Sequence, residues 1–200
     1  MTDYVDGYCE RVAPGLWGEP LNSLSNLAFL VAAVLVWRLA GGDRTGRLLA
    51  GLIGLVFVAS SVFHLVATRW AAVADSGAIL GFVLVYAVVF TREYWSRQWG
   101  WLAAPAFLAL TVVTAVLGGG LYLSALIGLG VFAAVLAFQR DPRWTHFAVA
   151  GAVFALSLSL RTLDRDVCDY VPAGTHFLWH LLNGVVLYLV SPVLIRPQRT

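Results

Sequence analysis

Seven apolar runs, each near the length needed to cross a bilayer, constrain this chain more than any other feature. A hydrocarbon core of ~30 Å needs about 20 mostly apolar residues per helix. Such runs lie near residues 22–40, 46–68, 70–91, 101–117, 121–138, 146–163 and 173–195, and the fourth and fifth hold no charged residue. Charged side chains make up 12% of the 200 residues, against 60% hydrophobic ones. An ordinary soluble domain carries about 25% charged residues, so this chain lacks the polar coat that water demands. Short connections separate the runs: Gly41 to Arg44, Arg92 to Gly100, Gly118 to Gly120, Gln139 to Arg143 and Asp164 to Pro172. The expected fold is an all-α membrane protein, a seven-transmembrane helix bundle forming one domain over 1–200. Within it, 1–21 is an outer N-terminal segment, 22–195 the bundle and 196–200 an inner tail.

Arginine placement orients the bundle, because positive charge collects on the inner side. With the N-terminus out, the inner side holds Arg38, Arg44, Arg47, Arg92, Arg97, Arg140, Arg143, Arg196 and Arg199. The outer side then holds Arg11, Arg69, Arg161 and Arg165, which favours N-terminus out and C-terminus in. Asp3, Asp6, Glu10 and Glu19 precede the first run with Arg11 as the only base, the opposite of a signal peptide's basic start. No cleaved leader is expected. A net charge of +2 without a basic run excludes a nucleic-acid partner, and no obligate protein partner is expected. Cys9 and Cys168 both fall on the outer side, where disulfides persist. A bridge between them would tie the N-terminal segment to the last loop; two separate thiols is the alternative.

Titratable side chains inside a span usually face a cavity, a partner or a metal. Here they are His64, Asp75, His176 and His180, with Ser60 nearby. Three spans bring them to one level near the outer face. Ser60 and His64 are four apart, as are His176 and His180, so each pair shares a helix face. Three neutral imidazoles with a water in the fourth position form a catalytic zinc arrangement, leaving Asp75 to act beyond the metal. Taken singly, each residue also has a structural role: His64 as a hydrogen-bonded core histidine, and Ser60 in helix packing. Asp75 would serve as a helix cap or as a partner of Arg69 or Arg161. His146 lies at the opposite face and is left out of the site. Trp17, Trp37, Trp70, Trp95, Trp99, Trp101 and Trp144 sit at run ends as an aromatic belt.

Four segments carry a resemblance. They are Asp6-Gly7-Tyr8-Cys9-Glu10-Arg11, then Glu19-Pro20-Leu21-Asn22 leading to Asn26, then Ser60-x-x-x-His64 with Asp75, and finally His176-x-x-x-His180. In order and spacing the chain resembles the alkaline ceramidases, specifically their compact bacterial relatives, over nearly its whole length. That resemblance implies zinc on His64, His176 and His180, with Ser60 and Asp75 completing the catalytic group. It also implies the Cys9–Cys168 pairing, and a calcium ion on Asp6, Glu10 and Glu19, whose hard oxygen donors suit that ion. Two departures touch the calcium site: Gly7 lengthens the Asp-to-Cys spacing by one, and Val12 stands where the family has an asparagine.

The expected function is zinc-dependent hydrolysis of the amide bond of ceramide or a related N-acyl lipid, giving a fatty acid and a free amine. Asp75 would take and return the proton, and Ser60 would stabilise the oxyanion. The expected location is a bacterial inner membrane, with the site toward the periplasmic side. The alternative is a lipid-binding, receptor-like member of the same superfamily, which includes the adiponectin receptors. Transport is disfavoured, because the polar cluster stays near one face.

Overall fold

A computed structural model describes residues 1–195; Arg196, Arg199 and the rest of the expected inner tail lie outside the described residues. The described residues are helical, apart from loops and an isolated bridge between Tyr4 and Thr68. The helices are α1 (Pro20–Ser25), α2 (Leu27–Ala40), α3 (Arg44–Val66), α4 (Arg69–Tyr94), α5 (Ala103–Val116), α6 (Leu123–Phe138), α7 (Trp144–Leu163) and α8 (His176–Val190). Each expected run falls on a helix. Five segments are long and apolar enough to cross a membrane: Pro20–Ala40, Arg44–Val66, Arg69–Tyr94, Trp144–Val167 and His176–Leu194. The expectation was seven. At 1.5 Å per residue, the 14 residues of α5 and 16 of α6 reach only about 21 and 24 Å.

Local chemistry sets the boundaries. Asp43 caps α3, its carboxylate accepting from the Gly46 N–H at 2.6 Å. Ala67, at φ 50°, ends the same helix in a left-handed turn. The first expected span is broken at Asn26, whose side-chain amide donates to the carbonyls of Asn22 and Ser23 at 3.0 and 3.3 Å. A side chain inserted into the backbone ladder interrupts a helix. The interruption also leaves the Asn22 carbonyl available to a distant partner, which the metal site uses.

Consecutive helices pack side by side from α2 to α8, and α8 closes the ring against both α7 and α2. The α2–α8 crossing is tight: a Cβ on Gly184 would come within 2.9 Å of Ala28 Cβ. Phe90 stacks on Phe132 at 4.1 Å between ring centres and meets Phe147 edge-on at 5.3 Å. Tyr86 and Tyr94 hydroxyls donate to the Val190 and Val193 carbonyls, both at 2.8 Å, so neither phenol is buried unpaired. Outward faces are apolar, with exposed residues such as Val31, Leu55, Val112 and Leu156, as contact with lipid requires. The tryptophans named for the belt are all exposed.

The N-terminal segment folds over the end of the bundle that carries the histidines. Val5 N–H donates to the Ala67 carbonyl and Gly15 N–H to the Leu65 carbonyl, each at 2.8 Å. Cys9 and Cys168 are joined by a disulfide with Cα atoms 5.3 Å apart, so the expected bridge is present.

Candidate metal centre

His64, His176 and His180 come together, each at most 2% exposed, with one nitrogen from each lying within 4.8 Å of the others. α3 supplies the first and the opening turns of α8 the other two. What surrounds them decides how the nitrogens point.

His64 Nδ1 lies 2.9 Å from Glu19 Oε2. A carboxylate only accepts, so Nδ1 carries the proton and Nε2 presents a lone pair. Arg11 Nη2 also lies 3.3 Å from Nδ1, but two donors cannot bond each other, and the nearer Glu19 fixes the tautomer. On His180, Nδ1 lies 3.1 Å from the Asn22 carbonyl and 2.8 Å from Ser25 Oγ. Ser25 already donates to that carbonyl at 2.9 Å, so its oxygen accepts and His180 Nδ1 is again the donor. The two Nε2 atoms then face each other at 3.2 Å without a proton between them. That approach is repulsive unless a cation lies between the lone pairs. Two imidazoles at tetrahedral angles around zinc stand about 3.3 Å apart, from Zn–N distances of about 2.0–2.1 Å. The spacing fits a first-row divalent metal.

Two more atoms point the same way. His176 Nδ1 and Asp75 Oδ1 are buried with no hydrogen-bond partner. Buried polar atoms are rarely left orphaned, so a metal centre and its water are fitting company. Ser60, four residues before His64, is 2% exposed and lies beside the Asp75 carboxyl, which also feels His64 and Arg161. All five residues singled out by spacing therefore share one locale.

Several contributors carried no such signal. Glu19 is fully buried and held by Arg11 Nε at 2.6 Å and Asn22 Nδ2 at 3.1 Å. Arg11 donates further to the Val5 carbonyl at 2.8 Å and packs on the rings of Tyr8 and Phe63 at 4.8 and 4.6 Å. Tyr8 stacks on His176 with ring centres 3.8 Å apart. Burial pushes the Tyr8 phenol well above its ordinary value, Arg161 opposing and Asp75 reinforcing, so it stays protonated. Asp164 accepts from the N–H groups of Thr175 and His176 at 2.6 and 2.8 Å on Oδ1, and from Cys9 N–H at 3.1 Å on Oδ2. It thereby starts α8 and anchors the disulfide-bearing segment together.

The acids expected to hold calcium are placed apart. Asp6 is exposed beside Arg165, 3.9 Å away. Glu10 accepts from the Leu21 and Asn22 N–H groups, both at 2.8 Å, capping α1. Glu19 serves Arg11 and His64. Among the described residues these three do not gather into a metal-capable cluster. Arg69, offered above as a partner for Asp75, instead pairs with Asp3 at 3.6 Å on the surface.

Beyond the histidines an apolar cavity runs into the bundle, lined among others by Phe29, Phe82, Tyr122, Phe154 and Trp179. None of the three histidines lines it, but it adjoins the site through Phe29, which meets the His180 ring edge-on at 5.8 Å. A second cavity among α4, α5 and α6 adjoins it at Phe107 and Tyr122. Comparison with known proteins finds no matching family model and no matching curated relative. The ceramidase likeness rests on its motifs alone.

Proposed function

We propose that this chain is a zinc-dependent intramembrane hydrolase that cleaves the amide bond of ceramide or a related N-acyl lipid, releasing a fatty acid and a free amine. One observation carries the proposal: three buried imidazoles gather beside an orphaned carboxyl oxygen, next to an apolar cavity. Zinc held by His64, His176 and His180 would supply Lewis acidity, lowering the pKa of water and polarising a carbonyl. Everything else falls to the protein. Glu19 and the Asn22 carbonyl hold the imidazole tautomers. Asp75 accepts the proton of the attacking water and delivers it to the nitrogen of the breaking C–N bond, so the amine leaves neutral. Ser60 donates its one O–H to the oxyanion as charge develops there. The cavity takes the acyl chain, which accounts for hydrolytic chemistry within a membrane.

The proposal has all seven runs crossing, the N-terminus outside and the site toward the periplasmic side of a bacterial inner membrane. Support comes from the arginine distribution and from the disulfide, which lies at the histidine end. The test is amine release from a panel of ceramides and other N-acyl lipids by purified protein, with and without a chelator. Chelator-sensitive release is expected. No release from folded, metal-loaded protein would replace the hydrolase with the receptor-like alternative.

A further inference from the structure

Arg161, near the outer end of α7, has no role in the chemistry above. Its guanidinium lies 4.8 Å from the Tyr122 ring centre and 5.5 Å from that of Trp179. Both rings line the cavity, and Trp179 is only 4% exposed. An interfacial arginine that served only bulk lipid would snorkel outward; this one lies inward, over the cavity wall. Among the described residues Arg161 makes no hydrogen bond and no ion pair. Other arginines at this end do better: Arg11 has Glu19, Arg69 has Asp3, and Arg165 has Asp6. Five N–H donors, held beside two rings, are left without an acceptor. A guanidinium in that state is prepared for two-point binding of a carboxylate or phosphate. Tyr8, stacked on His176, and Asp75 both feel its charge.

We infer that Arg161 binds an oxyanion, carboxylate or phosphate, on the amphiphile that occupies the cavity. The inference rests on the proposed lipid occupancy but not on hydrolysis. Two sources share this chemistry: an anionic head group on the substrate, or the carboxylate of the released fatty acid. Either makes charge, and not chain length alone, a determinant of what the site holds.

The test reads binding without turnover, by displacement of a fluorescent acyl probe from purified protein in neutral detergent. Two matched pairs are compared: a fatty acid with the alcohol of equal length, and a ceramide phosphate with the neutral ceramide. Wild type is expected to prefer the anionic member of at least one pair by about tenfold or more. Preference within the first pair identifies the product carboxylate, and within the second the head group. Arg161→Gln is expected to erase the preference and Arg161→Lys to keep part of it. Equal affinities within both pairs for wild type, or a full preference in folded Arg161→Gln, would overturn the inference. The wild-type comparison decides even if the glutamine variant misfolds. Hydrolysis of neutral ceramide without any anion preference would sink this inference and leave the hydrolase standing.

Discussion

Replacing Asp164 with alanine isolates the device that starts α8 and so sets His176. The substitution removes the acceptor for Thr175, His176 and Cys9 N–H groups at once. A buried N–H left unsatisfied costs about 1–3 kcal/mol, and a carboxylate at a helix N-terminus contributes about 0.3–1 kcal/mol more. Cys9 is only partly buried and can regain water, so the low end of the range applies and the total is on the order of 3–4 kcal/mol. For a chain of this size that corresponds to a fall of roughly 10 °C in the unfolding midpoint. Asp164→Asn keeps the oxygen that serves Thr175 and His176 and forfeits mainly the Cys9 bond, so its fall should be nearer 3 °C, for about 1 kcal/mol. The assay is thermal unfolding in detergent by tryptophan fluorescence, with metal content measured on the same samples. Alanine should also lower metal occupancy, because His176 is the first residue of α8. Equal, small shifts for both variants would refute the energetic argument. A large shift with full metal binding would refute the link from Asp164 to the site.

Further outcomes follow from the same contacts. Glu19→Gln keeps an acceptor for His64 but loses the charge that pairs with Arg11, and metal affinity measured by competition with a chromophoric chelator should weaken about 10- to 100-fold. Gly184→Leu should separate α8 from α2 at Ala28 and lower both thermal stability and metal content, whereas Gly77→Leu, where a Cβ meets nothing within 4 Å, should alter neither. Asp141 is held down to about 2, first by its hydrogen bond from Arg143. Its folded pKa is depressed, so the stabilisation is present above about 4 and is lost as pH falls toward 2. The arginine is half-exposed and the pair should contribute less than about 1 kcal/mol. Asp141→Asn should therefore lower the unfolding midpoint slightly at neutral pH, leave it unaltered near pH 2, and so remove a small part of its acid sensitivity.

Much of the site was legible because helices repeat. A spacing of four puts Ser60 with His64, and His176 with His180, on shared faces, and a titratable group in an apolar run stands out against its neighbours. Other parts depend on approaches that no local pattern encodes. Glu19 and Arg11 are separated from His64 by 45 and 53 residues, and Asp164 lies in a loop whose other acids are exposed. The break at Asn26 looks like continuous helix in sequence, yet it frees the Asn22 carbonyl for His180. Calcium was expected from the family resemblance; in the structure Arg11 holds one of those acids and backbone amides another. Five helices reach spanning length and α5 and α6 stop short of it, because their runs spend residues on flanking turns, Trp101 and Leu102 before α5 and Leu121 and Tyr122 before α6.

The most direct test of the metal centre is the zinc content of purified wild type and His180→Ala, measured by elemental mass spectrometry after purification without added metal. About one zinc per chain in wild type, and little in a folded His180→Ala, is the predicted result. Wild type free of any first-row metal, and unable to take one up when it is offered, would contradict the account at its centre.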